Sequence, residues 1–409
     1  MNIFTEIKEG LFIAWEAIVA NKMRAALTTL GIIVGIVSVT LMGAAIDGLN
    51  RSFHESVSMM GADVLFAGRM SWFINSMDDW IKQSKRRVIT YDQVKAVEKQ
   101  LTLAGAVAPV VQTTLSVRYN NRNADGVMVF GTTEQFQATG GLDVAQGRFL
   151  SVGDAAGGRP VCVIGNDVAT NLFGRESPLG KRIRVGSIWL EVVGVLEKRG
   201  SFMGMASMDE QAIVPIQQFL IGYGRNPDFQ IHVKARDLTR LEDAKEELRS
   251  ALRKVRHIAP GEPDDFAIGQ QEQVIQMFNR LAGTIAAVGL AVTGLSLFVG
   301  GIGIMNIMFV SVAERTREIG VRKAIGARRR TILLQFLMEA AGICLLGGLT
   351  GLGIAYGLTL LMSKFFPASL SLPVTVLALG VSLLTGVVSG FLPAWRAARM
   401  DPVEALRNE

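Results

Sequence analysis

Four long apolar stretches divide this chain, and a polar segment of mixed pattern separates the first from the second. Ala25 to Ile46 is 22 residues without a charge, enough for one membrane span. Leu281 to Ala313 is 33 such residues. As a helix that run is about 50 Å long against a hydrocarbon core of about 30 Å, so part of it stands out as a stalk. Ala340 to Met362 and Val374 to Ala394 complete the set, with Phe366-Pro367 and Leu372-Pro373 in the short turn between them. Ahead of the first span, Ile3, Phe4, Ile7, Leu11, Phe12, Trp15, Ile18 and Val19 recur at helical spacing, which predicts an amphipathic helix over 1–24 lying at the membrane face. Glu6 and Glu9 are wrong for the head of a cleaved signal peptide. After the first span, Leu49, Phe53 and Val57 repeat every four residues, so that helix continues as a first stalk, beside which the second packs.

The polar middle, residues 47–280, mixes both periods. Asp63 to Phe66 is strand-like, and Thr90 to Leu101 reads as a helix opened by a Thr90/Gln93 capping box. Thr113 to Tyr119 and Gly126 to Phe130 flank an Asn-rich turn, and Lys181 to Val185 and Ile188 to Val195 flank Gly186-Ser187, two hairpin patterns. Leu241, Ala244, Leu248, Leu252 and Val255 form one stripe of a helix over 237–257. The predicted fold class is therefore an α-helical membrane protein with four transmembrane helices and a large α+β extracytoplasmic domain inserted between the first and second spans. The parts run 1–24 amphipathic helix, 25–46 first span, 47–280 outer domain, 281–313 second span with stalk, 314–330 cytoplasmic helix, 340–362 and 374–394 third and fourth spans, and 395–409 tail.

Charge sets the orientation. Between Glu314 and Arg330 seven basic residues (Arg315, Arg317, Arg322, Lys323, Arg328, Arg329, Arg330) face two acidic ones, Glu314 and Glu318. A short loop this basic between spans stays in the cytoplasm, as do Asn21–Arg24 and the tail with Arg396, Arg399 and Arg407. Both termini are thus expected inside and the outer domain outside. This one hinge carries most of the chain's net charge of +6, so the basic balance concerns topology and not nucleic acid. The four-residue spacings Glu314/Glu318, Glu318/Arg322 and Arg315/Ile319 predict a short helix, with Gly320 and Gly326 as its weak points. Taken alone, such a run is a solvated charge cluster that sets topology, or a compact helix that a soluble motor subunit grips.

Chemistry is sparse. Asn306 in the second apolar run and Glu339 at the cytoplasmic edge of the third are the strongly polar side chains of the membrane region, whereas an ion-coupled carrier needs ionisable groups at mid-membrane. His54, His232 and His257 show no metal spacing, and Cys162 and Cys344 lie in different phases and form no disulfide framework. Gly174 to Lys181 imitates a phosphate-binding loop, but five residues separate the glycines and Arg182 stands where a Ser or Thr must hold magnesium. Met203, Met205 and Met208, in FMGMASM, form a thioether-rich loop suited to touching a substrate or partner. Gly31/Gly35, Gly347/Gly351, Gly353/Gly357 and Gly386/Gly390 are small-residue pairs where helices approach closely.

Three stretches carry a family resemblance: ERTREIGVRKAIGARRR with ILLQFLMEA, NKMRAALTTLGIIVGI, and FLPAWRAARMDPVEALRNE. Together with Gly147 to Gly200 they resemble MacB-type permeases, within the MacB/FtsX family of ABC transporters. The resemblance implies an outer domain in which a strand-rich subdomain, about 120–212, is inserted into one assembled from about 61–119 and 213–263. It implies a stand-alone permease with no fused ATPase, no cofactor of its own, and ATP and magnesium on a separate ATP-binding subunit. Partners implied are that subunit, a second permease copy as homodimer or pair, membrane lipid, and a membrane-fusion adaptor with an outer-membrane channel. Glu314, Arg315, Glu318, Ile319, Arg322 and Lys323 would contact the ATPase, and its motion would drive the outer domain mechanically to expel a drug, peptide or similar substrate. The chain would sit in the cell (inner) membrane with its large domain in the periplasm, if the envelope has one. Alternatives are a lipoprotein-extracting permease and an FtsX-like regulator that moves no substrate. A regulator of that type carries a smaller outer domain.

Overall fold

The computed structural model describes residues 22–58, 61–74, 76–202, 206–224, 227–364 and 368–407. Most of the predicted helix 1–24, Met203 and Met205 of the methionine loop, and Phe366-Pro367 lie outside these residues. Helix α1 (Lys22–Ser58) leads to strand β1 (Val64–Gly68), helices α2 (Met77–Ser84) and α3 (Tyr91–Glu98), and the hairpin β2 (Ala104–Tyr119) and β3 (Arg122–Thr132). Helix α4 (Phe136–Gly140), strand β4 (Val144–Gly147), helix α5 (Val152–Gly157), strand β5 (Val161–Ile164) and helix α6 (Asn166–Phe173) follow. Next come the hairpin β6 (Arg182–Val185) and β7 (Ile188–Leu196), the ribbon β8 (Ser201–Phe202) and β9 (Ala206–Ser207), strand β10 (Gln211–Pro215) and helix α7 (Ile216–Tyr223). Strand β11 (Gln230–Ala235), helix α8 (Leu241–Val255) and strand β12 (Ala267–Gln270) precede helices α9 (Gln271–Glu314), α10 (Thr316–Ala324), α11 (Arg329–Met362), α12 (Leu372–Arg399) and α13 (Pro402–Arg407).

Contacts divide the chain into two compact units, Ser52–Phe278 and the remainder, Met1–Arg51 with Asn279–Glu409. Helices α1 and α9 run unbroken through these boundaries. With 37 and 44 residues they are about 55 and 66 Å long, well beyond a hydrocarbon core. Within the outer unit, the Phe53 and Phe278 rings stack at 3.8 Å, so the two stalks lie side by side there.

The outer unit is built on a ten-stranded sheet of order β12-β1-β11-β2-β3-β10-β5-β7-β4, with β6 beside β2 and β7. Strand β2 belongs to both halves. Its stretch through Val110 pairs with β11, and from Val111 onward it pairs with β3. Strand β10 joins β3 and β5. The inserted half therefore reaches from Val111 to Tyr223, wider at both ends than 120–212, because β2 carries the chain from one half into the other without a break. Asn120, in left-handed backbone at φ 50°, closes the first hairpin, and Gly186 at φ 53° the second. Thr90 and Gln93 form the reciprocal capping box of α3, and α8 buries Ala244, Leu248, Ala251 and Leu252.

A second capping box starts α5, where the fully buried Asp154 accepts from the Ser151 backbone and hydroxyl and pairs with Arg148 at 2.5 Å. Burial works to raise this carboxyl, but the hydrogen bonds from Arg148 and Ser151 outweigh it and hold it at about 2. The folded value lies below the ordinary carboxylate range. Its contribution to stability is thus complete above that range and lost as pH falls through about 2. Asp154→Asn is expected to lower the unfolding temperature at pH 7, and the gap between variant and parent should narrow steadily below pH 4 in thermal scans.

In the other unit, glycines let the long helices approach. A Cβ on Gly31 of α1 would lie 2.9 Å from Gly300 Cα of α9, and one on Gly351 of α11 would lie 3.1 Å from Ile36 Cβ. Gly386 and Gly390 do the same between α12 and Ala340 of α11, whereas Gly353 and Gly357 face open space. Ser382 Oγ donates to the Cys344 carbonyl at 2.6 Å, a bond of full value where water is absent. Gly300→Leu must push α1 away from α9, and is expected to lower the unfolding temperature measurably in detergent, while Gly353→Leu leaves it unchanged.

Candidate coupling site

Helix α9 ends at Glu314, and Arg315, with φ −101° and ψ 16°, breaks it from α10. Gly326, at φ 99°, then turns the chain, and α11 starts at Arg329. A nine-residue helix of this composition is marginal by itself, so its stability comes from what its inner face touches. Ile319 is only 2% exposed and packs in a cluster with Val312, Ile332 and Phe336. Arg315 Nη1 stands 3.5 Å from Glu339 Oε2, pairing the one carboxylate buried on α11. Arg322 divides its guanidinium between Gln335 Oε1 at 2.8 Å and Glu318 Oε1 at 2.5 Å.

Lys323 closes the module. Its ammonium donates to the Ala398 carbonyl at 2.7 Å and the Met400 carbonyl at 2.6 Å, groups left open where α12 ends. Burial lowers its pKa first, Arg329 lowers it further, and Asp401 opposes both. Helix α13 follows at once, with Ala405 buried. Lys323→Met should free this C-terminal segment. Backbone amides of 403–407 are expected to exchange about tenfold faster or more, in line with charge-assisted bonds of about 1.5–3 kcal/mol each.

The six residues grouped from the sequence as partner contacts thus fall into two sets. Ile319 is corrected to an inward anchor, since a buried side chain has no surface to offer. Arg315 and Lys323 are committed to Glu339 and to the end of α12. Glu314 and Glu318 stay exposed, and Arg322 is half-buried. Two residues that the sequence reading passed over complete the outer face: Val321, 46% exposed, and Ile325, 81% exposed. With Arg317, Glu318 and Ala324 they recur at one, four, seven and eight residues, a single helix face of apolar and charged groups. The signal was the Val321/Ile325 spacing, hidden because Ile319 points the other way in the same short helix. Of the methionine loop, Met208 is described: it is half-buried and its N–H donates to the Gly200 carbonyl at 2.9 Å.

Among the described residues, four span-length apolar helices, a large strand-and-helix domain between the first and second, and a basic, inwardly braced helix between the second and third define a membrane permease architecture with an extracytoplasmic domain. The chain belongs to the MacB-type permeases of the MacB/FtsX family: residues 25–251 match the MacB-like periplasmic core domain and residues 290–402 the FtsX-like permease C-terminal domain. It is 34% identical to the macrolide export ATP-binding/permease protein MacB of Bdellovibrio bacteriovorus, over 99% of this chain and 62% of that protein. It is 36% identical to the pyoverdine export ATP-binding/permease protein PvdT of Pseudomonas entomophila, over 99% of this chain and 60% of that one. The chain thus spans about six tenths of the length of these relatives. The periplasmic region of MacB from Actinobacillus actinomycetemcomitans superposes with a TM-score of 0.45 at 19% identity, covering 55% of this chain and 95% of that structure.

Proposed function

We propose that this chain is the permease of an ABC exporter, in which an ATP-binding component outside these 409 residues grips the outer face of α10. The observation that carries the reading is the two-faced build of that helix. Its inner face is fastened to α11 and α12 by Ile319, Arg315, Arg322 and Lys323, while Val321 and Ile325 stand in water between charges. Such a helix moves as one piece with the spans when it is pushed. ATP binding would draw two such helices together in a permease dimer, and α1 and α9, continuous past both unit boundaries, would carry the motion outward. The arginines at the helix ends favour both termini and α10 in the cytoplasm. The substrate would be a drug, peptide or similar molecule, a reading supported by relatives named for macrolide and pyoverdine export, and it would leave through an adaptor and outer-membrane duct where the envelope has them.

The test is co-purification of tagged chain with candidate ATP-binding components, followed by ATPase rates. Glu318→Ala is expected to weaken but not abolish association, since an exposed charge contributes about 1 kcal/mol or less. ATPase rates that do not respond to the presence of the chain would refute the reading.

A further inference from the structure

The outer unit has a cleft of about 190 Å³ where its two halves meet, between α3, strand β2, the turn from β3 to α4, and α5. Its walls include Val107, Pro109, Val152 and Ala155, and its polar lining includes Glu98 and Glu134. Both carboxylates also act on the Tyr91 phenol: burial raises its pKa most, and Glu98, Glu134 and Asp92, in that order, raise it further. The single ammonium in the lining, Lys95, is drawn over the Tyr91 ring, 4.2 Å from its centroid. Gln135 fixes the floor, accepting from the Val107 N–H at 2.6 Å and donating to Glu98 Oε1 at 3.3 Å. Beside it, Thr133 Oγ1 is shut off from solvent without a hydrogen-bond partner. A small cavity, an excess of acceptors and an unpartnered hydroxyl lie together, with an apolar wall of Val94, Val107, Pro109, Val152 and Ala155 beside them. The volume suits one ring or a short alkyl body, since a cavity of about 150 Å³ already holds benzene.

We propose that this cleft binds the ammonium- or guanidinium-bearing end of an amphipathic molecule, its cation between Glu98 and Glu134 and its apolar body against Pro109 and Val152. The occupant would touch α3 and β2 on one side and α5 of the inserted half on the other. It would therefore tie the two halves of the outer unit together.

The experiment uses the full chain in lipid nanodiscs and fluorine NMR of 4-(trifluoromethyl)benzylamine, with the corresponding benzyl alcohol as neutral counterpart and empty nanodiscs to subtract partitioning. The amine is expected to bind saturably at about millimolar concentration, as its size allows. The alcohol should bind about tenfold more weakly. Glu134→Gln is expected to weaken the amine about tenfold without affecting the alcohol, and Ala156→Trp to abolish the site. Glu134 is preferred because Glu98 also supports Gln135, and Val152→Arg at the exposed rim replaces Ala156→Trp should that variant not fold. Equal binding of amine and alcohol, an unchanged Glu134→Gln, or no saturable binding to folded parent chain would each overturn the proposal. The readout does not pass through ATP hydrolysis, so failure here leaves the coupling reading of α10 standing.

Discussion

Val321→Asp combined with Ile325→Asp is expected to weaken association with the ATP-binding component about 100-fold or more, while leaving the chain folded. Burying one Val or Ile contributes about 1.5–3 kcal/mol, and a carboxylate in its place adds a desolvation cost. Two such changes exceed the roughly 2.7 kcal/mol that a 100-fold loss requires. Neither side chain supports α10 from within, because Ile319, Arg315, Arg322 and Lys323 do that from the opposite face. Pull-down yield and stimulated ATPase activity should fall together, at an unchanged unfolding temperature. Ile319→Asp makes the useful contrast, since it should lower that temperature as well.

Arg256→Met is expected to cost the outer unit about 3–5 kcal/mol, because it removes the buried partner of a part-exposed ion pair together with three further hydrogen bonds. Arg256 is fully buried at the end of α8, and every donor edge is used. Nε and Nη2 meet the two Asp265 oxygens at 2.6 and 2.8 Å, Nη2 also reaches the Arg87 carbonyl at 2.8 Å, and Nη1 reaches Val88 O and Gln93 Oε1 at 3.3 and 3.2 Å. One side chain thus joins α8, the strand-side acid Asp265 and the capped start of α3. For a unit of this size the cost corresponds to a fall of about 6–20 °C in unfolding temperature, read by calorimetry. Burial works to raise the Asp265 carboxyl, and Arg256 and then Arg87 pull it below the ordinary range by more. Its depressed value means that the contribution is complete at neutral pH and fades as acid protonates the folded carboxyl, so the variant and parent should converge in acid. Arg87→Ala, which removes the exposed partner of Asp265 at 3.3 Å, should cost about 1 kcal/mol or less.

Much of the architecture was legible because its signals are local. Uncharged runs longer than a bilayer crossing, Asn120 and Gly186 at hairpin turns, the Thr90/Gln93 box and the Leu248 stripe each act within a few residues. What escaped depends on partners far along the chain. Nothing near Val110 shows that β2 exchanges β11 for β3, since Val107 to Val111 are five successive buried residues and such a run does not tell which strand lies beside it. Arg256 reads as one more basic residue after the basic last turn of α8 until Asp265, Arg87 and Gln93 close around it. At the coupling site the charges were found, but the side facing outward was not. Ile319 and the Val321/Ile325 pair occupy opposite faces of a helix too short for its periodicity to separate them.

The central claim is that the outer face of α10 is where the ATP-binding component is held. A photoreactive amino acid at position 325, with a control at position 189 on the exposed Trp189 site of the outer unit, tests this in the assembled complex. The account predicts a crosslink from position 325 to the ATP-binding component, strengthened by ATP, and none from position 189. A complex that holds together yet gives no crosslink from position 325, or gives one from position 189, would contradict it.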